Sequence, residues 1–460
     1  MVQKEEQNVI NVLSYQDIQL NELKGTLTGV QGVIEESINE SEKVLNSLGY
    51  VESIKNAKDR SRESADEPIL AGINATLPDW DSLCAEAEKH NKGEVAKIED
   101  LFSKDELLDN KRYIETLNEQ FNSVFKLDEL DWTICAVAAI VSAAMDILLV
   151  GIPEKTKSGL KAGPLSNYIR DYFDKKYPEE DMKKLGEKAR TKTPYDAQDN
   201  RNTKVYVEGL SPQYHRLLQL GHDPLLGFFV GVMDILSGTM TTIDKKGKIV
   251  IQVIDEYSGR KETSLFEALG KQFRHLKSDV TTSMGLPVPL MGLFNLFQFG
   301  SIGKEDKTIA EIVQGMYYEG YDFIHFCSMS IPVMVTEIIV RFSWAVKRLS
   351  QGYSIKDSIP VTIGSKSKIK KPKLETMLFI AHSGATAVNA GKIVFTRNPM
   401  AINYPQWIAW AKYAFRELKW ELINKPELQN KYVMSFIENE RVDILNRVNE
   451  CYDDYFRLRH

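Results

Sequence analysis

The chain has 460 residues, enough for two or three domains and a large apolar core. Apolar residues make up 43% and charged residues 27%, and the mean hydropathy of −0.29 argues against a mostly transmembrane chain. Four widely spaced cysteines without a CxxC pair favour free thiols in a reducing cytoplasm over a disulfide framework. The N-terminus lacks the basic and apolar segments of a secretory signal.

The formal net charge of −6 is divided unevenly along the chain. Residues 1–130 carry 14 basic and 27 acidic residues, a net charge of −13, whereas residues 131–460 carry 44 basic and 37 acidic residues, a net charge of +7. Such asymmetry often marks an interaction surface, either between the two parts or with an anionic partner of the second. A solvated acidic helical face explains it equally well.

Residues 1–130 have the pattern of an acidic helical bundle. Apolar residues recur at three- and four-residue steps over residues 5–24 and 29–49, which predicts two amphipathic helices. Thr26 and Gly29 predict a break between them.

A polar, proline-containing loop is predicted over residues 60–79, and two more helices over residues 80–130. The second of these helices should begin at Ser103, because Glu106 follows three residues later and completes a capping box.

Residues 131–460 are predicted to form a large, glycine-rich helical domain with an apolar core. Its first segment, Trp132–Ile152, carries a single charge, Asp146, and is long enough to cross a bilayer. Residues 153–212 are polar and resemble an insertion or connector. Residues 239–255 contain two β-type runs around a Lys-Lys-Gly-Lys turn, which predicts one small β-hairpin.

The stretch Gly221–Met240, GHDPLLGFFVGVMDILSGTM, places an ionisable Asp234 inside an apolar run with regularly spaced glycines. Asp223 is suited to a helix N-cap and Pro224 to the first helical position, so a helix is expected to begin there. His222 then lies just outside the helix and has an architectural interpretation.

Five apolar runs in the second part are long enough to be membrane spans. Most contain a charged residue, and an Asp or Arg at a helix centre costs on the order of 2.5–3.5 kcal/mol on insertion. Long central helices of a soluble bundle are also apolar on all sides and tolerate paired polar groups. The pattern favours a soluble buried core, with membrane insertion as the alternative.

A lysine cluster precedes the last of these runs. Its members are Lys366, Lys368, Lys370, Lys371 and Lys373. A basic flank beside an apolar segment is typical of contact with anionic lipid on the cytoplasmic side. Nucleic acid is a weaker match because no aromatic residues are interleaved. The cluster is therefore predicted to bind an anionic partner, with a solvated loop as the alternative.

Asp146 and Asp234 both lie in the tetrapeptide Met-Asp-Ile-Leu inside an apolar run. An unpaired carboxylate in an apolar core is too costly to stay ionised, so each requires a partner. The candidate partners in apolar surroundings are His325, His382, Arg341, Lys392 and Asn389. Two carboxylates with two histidines could bind a divalent metal or act as acid and base, which makes Asp234, Asp146, His325 and His382 the candidate catalytic residues.

Glu319, Asp322 and His325 follow one another at three-residue steps, which would place them on one helical face. The pattern resembles the carboxylate-x-x-His element of di-iron bundles. That element normally occurs twice with Glu, whereas this chain has one copy with Asp. A structural polar cluster and a metal site are the two interpretations.

Searches for stronger catalytic motifs find nothing. The chain lacks a P-loop, a GxSxG elbow, an HExxH motif, paired CxxC motifs and a GxGxxG after a strand. Nucleotide hydrolysis and nuclease activity therefore have no support from individual residues.

Three segments carry a resemblance: Gly221–Met240, the sequence SMGLPVP at residues 283–289, and the segment from His382 to Trp407. In these patches, spread over about the last two thirds of the chain, it is similar to uncharacterised bacterial proteins encoded in mobile-element and phage-defence islands. The resemblance implies a bacterial cytoplasmic or inner-membrane setting and supplies no catalytic residues.

The sequence thus predicts a mainly α protein, with an acidic helical bundle at 1–130 and a glycine-rich helical domain at 131–460. The favoured function is a non-enzymatic interaction or effector protein, in the setting of phage defence, with an acidic regulatory front end. A metal-dependent enzyme with buried Asp and His, and an integral membrane or pore-forming effector, are the alternatives. A protein partner or self-association is expected, and no cofactor apart from a divalent metal.

Overall fold

The structure is a computed structural model that describes residues 2–48, 51–52, 54–55, 78–90, 97, 102–156, 159–300, 306–361 and 372–457. In these ranges the protein is mainly helical and has two small antiparallel sheets, which confirms the predicted fold class. The chain divides into two compact units, Met1–Gln120 and Phe121–His460.

The first unit contains α1 (Val2–Ser47), α2 (Trp80–His90) and most of α3 (Lys104–Phe125). The predicted break in α1 is wrong, because the helix continues through Thr26 and Gly29. An interior glycine lowers helix stability by about 1 kcal/mol relative to alanine but leaves the backbone hydrogen bonds in place. The Thr26 hydroxyl donates to the Glu22 carbonyl at 2.9 Å, inside the helix.

Helix α2 packs against α1, where Val12 and Ala87 are buried. The predicted capping box at the start of α3 is confirmed. The Ser103 amide donates to Glu106 Oε2 at 2.8 Å, and the Glu106 amide donates to Ser103 Oγ at 3.2 Å.

The second unit begins within α3. In chain order it contains α4 (Glu129–Met145), β1 (Glu154–Thr156), β2 (Gly159–Lys161), α5 (Pro164–Lys176), α6 (Glu179–Gly186), α7 (His215–Leu218), α8 (Val230–Ser237), β3 (Thr239–Ile243), β4 (Ile249–Val253), α9 (Leu265–Asp279), α10 (Ile309–Tyr318), α11 (Phe323–Ser350), α12 (Ile355–Ser358), α13 (Pro372–Thr396), α14 (Tyr404–Lys419) and α15 (Lys425–Arg457).

Helices α4, α11, α13 and α14 pack into a four-helix bundle. Its core contains Cys135, Ala138, Val340, Trp344, Leu374, Met377, Leu378, Ala381 and Tyr413. Lys347 near the end of α11 contacts both Asp128 and Asp131 at the start of α4, so these two helices run antiparallel. We call this the lysine end of the bundle.

Two helical segments among the described residues are long and apolar enough to cross a membrane, Glu129–Val150 and Phe323–Ser350. The first extends α4 by a π turn, Asp146–Val150. The second is α11, which contains Pro332. Pro332 lacks a backbone amide, and its carbonyl accepts hydrogen bonds from the hydroxyls of Ser142 and Thr336 at 3.3 and 3.1 Å.

The predicted β-hairpin is confirmed as β3 and β4, which pair with Thr241 opposite Ile251. Gly247 in the turn has φ +79°, a conformation that glycine adopts without strain. The hairpin packs with α8 and α9 around a second core of Val232, Ile235, Met240, Val250 and Ala268. The other sheet, β1 with β2, was not predicted.

In the stretch Gly221–Met240 the predicted helix start at Pro224 is wrong, because α8 begins at Val230. Two short 3-10 turns precede it. The chain here approaches itself closely: a Cβ atom on Gly227 would lie 2.5 Å from the Gly221 carbonyl oxygen. This contact favours tight turns over a regular helix.

The predicted role of Asp223 as a helix N-cap is also wrong, because the N-cap of α8 is Phe229, and the Asp223 carboxylate instead closes the turn before that helix. Its Oδ1 atom accepts from the amides of Leu225 and Leu226 at 2.9 and 2.8 Å, and Oδ2 accepts from the Leu290 amide at 2.6 Å. Asp223 therefore caps a turn and ties it to a distant loop.

Residues 153–212, predicted as an insertion or connector, hold β1, β2, α5 and α6. They also supply Tyr195 and Val207, both fully buried, to the core around the hairpin. The segment thus contributes side chains to the core of the second unit.

Candidate functional site

Four segments of the second unit bring three histidines and two aspartates together. Helix α7 provides His215, the 3-10 turn Leu220–His222 provides His222, α9 provides His275 and Asp279, and the loop before residue 200 provides Asp196. We call these five residues the His–Asp cluster. His275 and Asp279 are four residues apart on α9 and therefore lie on one face of that helix.

The His–Asp cluster is nearly closed to solvent. The His222 side chain is fully buried, and those of His215 and His275 are 5% and 4% exposed. The ring centroids of His215 and His222 are 5.3 Å apart, and those of His222 and His275 are 4.8 Å apart. Asp196, with 27% of its side chain exposed, is the most accessible member of the cluster.

The ligand-type atoms form two overlapping groups that share His222. In the first, the Nε2 atoms of His215 and His222 each lie 3.9 Å from Asp196 Oδ1. In the second, Asp279 Oδ2 lies 3.0 Å from His222 Nδ1 and 3.6 Å from His275 Nε2. Within each group all three atoms lie within 4.8 Å of one another.

Neighbouring groups set the orientation of the imidazoles. The Pro212 carbonyl oxygen lies 2.9 Å from His215 Nδ1, and Gln219 Oε1 lies 3.0 Å from His222 Nε2. The Gln219 amide nitrogen donates to the Ala197 carbonyl, which fixes the direction of the side-chain oxygen. These contacts with buried neighbouring groups hold the imidazole rings in fixed orientations.

Burial and charge act in opposite directions on the titratable groups. Burial lowers the pKa of His215 to about 4 and that of His222 to about 4, because the charged imidazolium loses its hydration. Burial also raises the pKa of the Asp279 carboxyl, but Arg216, 3.0 Å away, together with His275 and His222, holds it well below its usual range. His215 and His222 are thus neutral imidazoles near an ionised Asp279.

Nitrogen lone pairs and carboxylate oxygens at these distances are the ligands that proteins use for divalent transition metals. The same arrangement also compensates a buried charge, since Arg216 pairs with Asp279 and both side chains are largely buried. The two roles are compatible if the metal ligands and the ion pair use different atoms of the cluster.

The candidate site residues predicted from the sequence do not form a common cluster in the structure. Asp146 pairs with two of its candidate partners: its Oδ2 atom accepts from Lys392 Nζ and from Asn389 Nδ2, each at 3.0 Å. Asn403 Nδ2 donates to the other oxygen at 2.8 Å. Asp146 is therefore a fully hydrogen-bonded carboxylate at the end of the bundle opposite the lysine end.

Asp234 forms no hydrogen bond or ion pair with any of the partners predicted for it among the described residues. Its carboxylate accepts from the hydroxyls of Thr239 and Thr241 at 2.7 and 2.8 Å and from the Thr241 amide at 2.9 Å. Burial raises the pKa of Asp234, and these hydrogen bonds oppose the shift. The residue ties α8 to β3, which is a structural role.

The expectation that Glu319, Asp322 and His325 share one helical face is wrong. Helix α10 ends at Tyr318 and α11 begins at Phe323, so these residues span a helix break at Gly320, where φ is +98°. Glu319 is exposed.

Asp322 is the N-cap of α11 and accepts from the His325 amide at 2.9 Å. Its two oxygens also accept from the guanidinium of Arg170 at 2.8 and 2.9 Å. The carboxylate is thus engaged in a bidentate ion pair and a cap, the same kind of structural use as that of Asp234.

His382 lies in the bundle core with no exposed surface. Its ring stacks on Tyr413 with centroids 5.2 Å apart, and its Nε2 atom lies 3.7 Å from Glu337 Oε1. Glu337 is in turn paired with Arg341. His382 therefore belongs to a polar network inside the bundle, apart from Asp146 and Asp234.

Of the predicted lysine cluster, Lys366, Lys368, Lys370 and Lys371 lie outside the described residues. Lys373 at the start of α13 is described, and its Nζ atom lies 3.8 Å from Asp131 Oδ2 at the lysine end of the bundle.

Sequence reasoning missed four members of the His–Asp cluster and assigned the fifth, His222, an architectural role. His215, Asp196, His275 and Asp279 lie outside the long apolar runs, so the local hydropathy does not indicate that they are buried. One usable signal was present: His275 and Asp279 are spaced for one face of an amphipathic helix. Comparisons of the chain with protein-family models, with curated proteins and with solved structures found no match.

Proposed function

We propose that this chain is a membrane-associated, non-enzymatic interaction or effector protein whose four-helix bundle lies in a lipid bilayer. The observation that carries the proposal is the chemistry of the exposed faces of α4 and α11. The exposed stripe of a soluble helix is polar, whereas a helix that is apolar on all sides is either buried or in a membrane.

The exposed positions of α4 and its π turn, which the structure describes in full, carry no charge from Trp132 onwards. They are Trp132, Thr133, Ala136, Val137, Ile140, Ala144, Ile147, Leu148 and Leu149. Ile140 is 67% exposed and Leu148 is 68% exposed. The Thr133 hydroxyl donates to the Glu129 carbonyl, so even this polar side chain is satisfied within the helix.

Helix α11 has a similar stripe. Met334, Ile338, Phe342 and Val346 are exposed at four-residue steps, which places them on one face. Only 39% of the most apolar window is buried in each of the two long segments. A core helix of a soluble protein would be mostly buried, so lipid accounts better for these faces.

The charged residues away from the lysine end of the same helices face inward. Asp146 pairs with Lys392, and Glu337 pairs with Arg341. Ionisable groups in membrane helices typically point into the bundle and pair with one another. In the middle of these two helices the outward faces are therefore apolar, and the charged groups are paired within the bundle.

The lysine end of the bundle is suited to the cytoplasmic headgroups. Lys347 and Lys373 are described there, and the remaining lysines of the cluster precede α13 in the sequence. Basic residues beside a span favour the cytoplasmic side.

The interaction or effector role rests on the sequence. It is supported by the lack of a catalytic motif, the acidic composition of residues 1–130 and the similarity to proteins of phage-defence islands. We expect the acidic segment to regulate the apolar part or to bind a protein partner.

The test is membrane fractionation of full-length protein with Ile140→Lys and Ile338→Lys. We expect the unchanged protein to stay in membranes after an alkaline wash and to require detergent. Each lysine at a bilayer-facing position costs on the order of 2.5–3.5 kcal/mol, so the double variant should leave the membrane fraction.

The matched control is Phe266→Lys, at a residue on α9 that is 84% exposed and outside the bundle. It should fractionate like the unchanged protein. A chain that purifies without detergent, and becomes more soluble with the two bundle lysines, would overturn the proposal.

A further inference from the structure

We infer that Asp196, His215 and His222 form a binding site for one divalent transition-metal ion, which would contact Asp196 Oδ1 and the Nε2 atoms of both histidines. This metal site is separate from the proposed bilayer-facing surface and does not depend on it. The two Nε2 atoms each lie 3.9 Å from the carboxylate oxygen. Metal–ligand bonds of about 2.0–2.2 Å require only a small contraction of the group.

The tautomers of both histidines suit metal binding. The Pro212 carbonyl accepts a hydrogen bond from His215 Nδ1, so a neutral His215 presents its lone pair at Nε2. Asp279 Oδ2 lies 3.0 Å from His222 Nδ1 and directs the lone pair of a neutral His222 to Nε2 in the same way. A backbone carbonyl or a carboxylate on the far ring nitrogen is the usual outer contact of a metal-binding histidine.

The environment of His222 Nε2 also suits a cation when the ring proton is on Nδ1. With the proton on Nδ1, the Nε2 lone pair faces Gln219 Oε1 at 3.0 Å, which is also an acceptor. Gln219 cannot turn its amide nitrogen inward without losing the hydrogen bond to Ala197. Two facing lone pairs repel each other in a dry interior, and a metal ion between them removes that repulsion.

The alternative, a protonated His222, is disfavoured by burial. The imidazolium would lie in a closed interior, because the His222 side chain has no exposed surface. Asp279 already has a buried positive partner in Arg216, so its charge does not require a second one.

The second group of ligand atoms is a weaker position for the ion. An ion between His222, His275 and Asp279 would lie next to the guanidinium of Arg216, which is 3.0 Å from Asp279 Oδ1. A neutral His222 also has a single lone pair, so it serves one of the two groups at a time. Asp196, partly exposed, gives the first group a route for entry.

The ligand chemistry defines the class of ion. Two imidazoles and one carboxylate suit zinc, iron, cobalt or nickel, and are less suited to calcium or magnesium, which prefer oxygen ligands alone. Three protein ligands leave a further coordination position for water or for Gln219 Oε1.

The test uses full-length protein stripped with a chelator and reloaded separately with Zn²⁺ and Co²⁺. We expect about one ion per chain by elemental analysis, visible Co²⁺ absorption of nitrogen and oxygen coordination, and a rise in Tm on Zn²⁺ addition. Asp196→Asn and His215→Gln should abolish stoichiometric loading. Asp279→Asn, which removes the outer contact, should weaken affinity roughly 10- to 100-fold.

Two control variants locate the ion. Asp199→Asn changes an aspartate of the same loop that pairs with Arg201, and it should load normally. His275→Gln should also load normally, because His275 belongs only to the second group. Circular dichroism reports whether each variant is folded.

If the unchanged protein binds no ion and shows no rise in Tm, that result alone overturns the inference. Loading that survives Asp196→Asn, or that is lost in His275→Gln alone, would overturn the assignment of the ligands. None of these measurements depends on whether the four-helix bundle lies in a bilayer.

Discussion

Lys392 Nζ on α13 lies 3.0 Å from Asp146 Oδ2 at the end of α4, and less than a tenth of either side chain is exposed. This pair connects two helices of the bundle through a buried charge. Removal of one partner leaves the other charge without compensation, which is more costly than loss of the whole pair.

We therefore expect Lys392→Met to lower the free energy of unfolding by about 3–5 kcal/mol. Asp146→Asn combined with Lys392→Met should be more stable than Lys392→Met alone, because no unpaired carboxylate remains. Chemical denaturation in mild detergent measures both. The control is Lys431→Met, which removes an exposed partner of Glu427 and should change little. Equal losses in the two lysine variants would contradict the role of the buried pair.

Asp234 should prove structural. Asp234→Asn replaces one oxygen with an amide group that cannot accept from Thr239 or Thr241, so about 1–3 kcal/mol of stability should be lost. Metal loading should stay unchanged, since Asp234 is not in the His–Asp cluster. Asp255→Asn, at an exposed aspartate paired with Lys204, serves as the control. A stable Asp234→Asn variant that has lost its metal would contradict this expectation.

The metal-free protein should lose stability as the pH falls from about 6.5 to about 4. In this window a histidine in the unfolded chain, with its ordinary pKa of 6.5, binds a proton that folded His215 and His222, each with a pKa of about 4, do not bind. The unfolded state therefore takes up more protons, and acid favours it. Each such histidine contributes about 1.4 kcal/mol per pH unit.

Below this window Asp279 adds to the loss. Its folded pKa is depressed, so the unfolded chain protonates this carboxyl first as the pH falls below its ordinary value. Denaturation with chelator present, from about pH 7.5 to about pH 4.5, measures the histidine part. His215→Gln should reduce the slope by about one proton. A flat profile between pH 6.5 and pH 4.5 would contradict the prediction.

Local signals in the sequence were sufficient for part of this fold. The capping box of Ser103 and Glu106 and the turn at Gly247 depend on residues close together in the chain, so their chemistry can be recognised without the tertiary structure. The partners of Asp146 were also predictable, because Lys392 and Asn389 are polar residues in an otherwise apolar run.

Two glycines show why helix boundaries cannot always be predicted from the local sequence. Thr26 and Gly29 predict a break between two helices, yet a Cβ atom on Gly29 would meet nothing within 4 Å and the helix continues. Gly227 was expected inside a helix, yet it lies against the Gly221 carbonyl, and the helix starts three residues later. The difference is what each glycine packs against, and that is a property of the tertiary structure.

The His–Asp cluster was beyond prediction for the same reason. Asp196 and His275 are far apart in the sequence. No spacing rule connects the loop, α7, the 3-10 turn and α9 that supply the cluster. Only the pair of His275 and Asp279 has a recognisable interval.

The π turns at Asp146–Val150 and Trp420–Asn424 affect how the helices that contain them respond to the deletion of a single residue. A π turn holds one more residue than an α turn, and the Gly151 amide reaches back five residues to the Asp146 carbonyl. The π turn accommodates that extra residue without rotating the helix on either side, whereas a residue added to or removed from a regular α-helix turns everything after it by about 100°. Deletion of exposed Leu148 or Leu422 should therefore shorten a π turn to an α turn and keep the flanking faces in register, which a deletion in the regular part of α4 would not do.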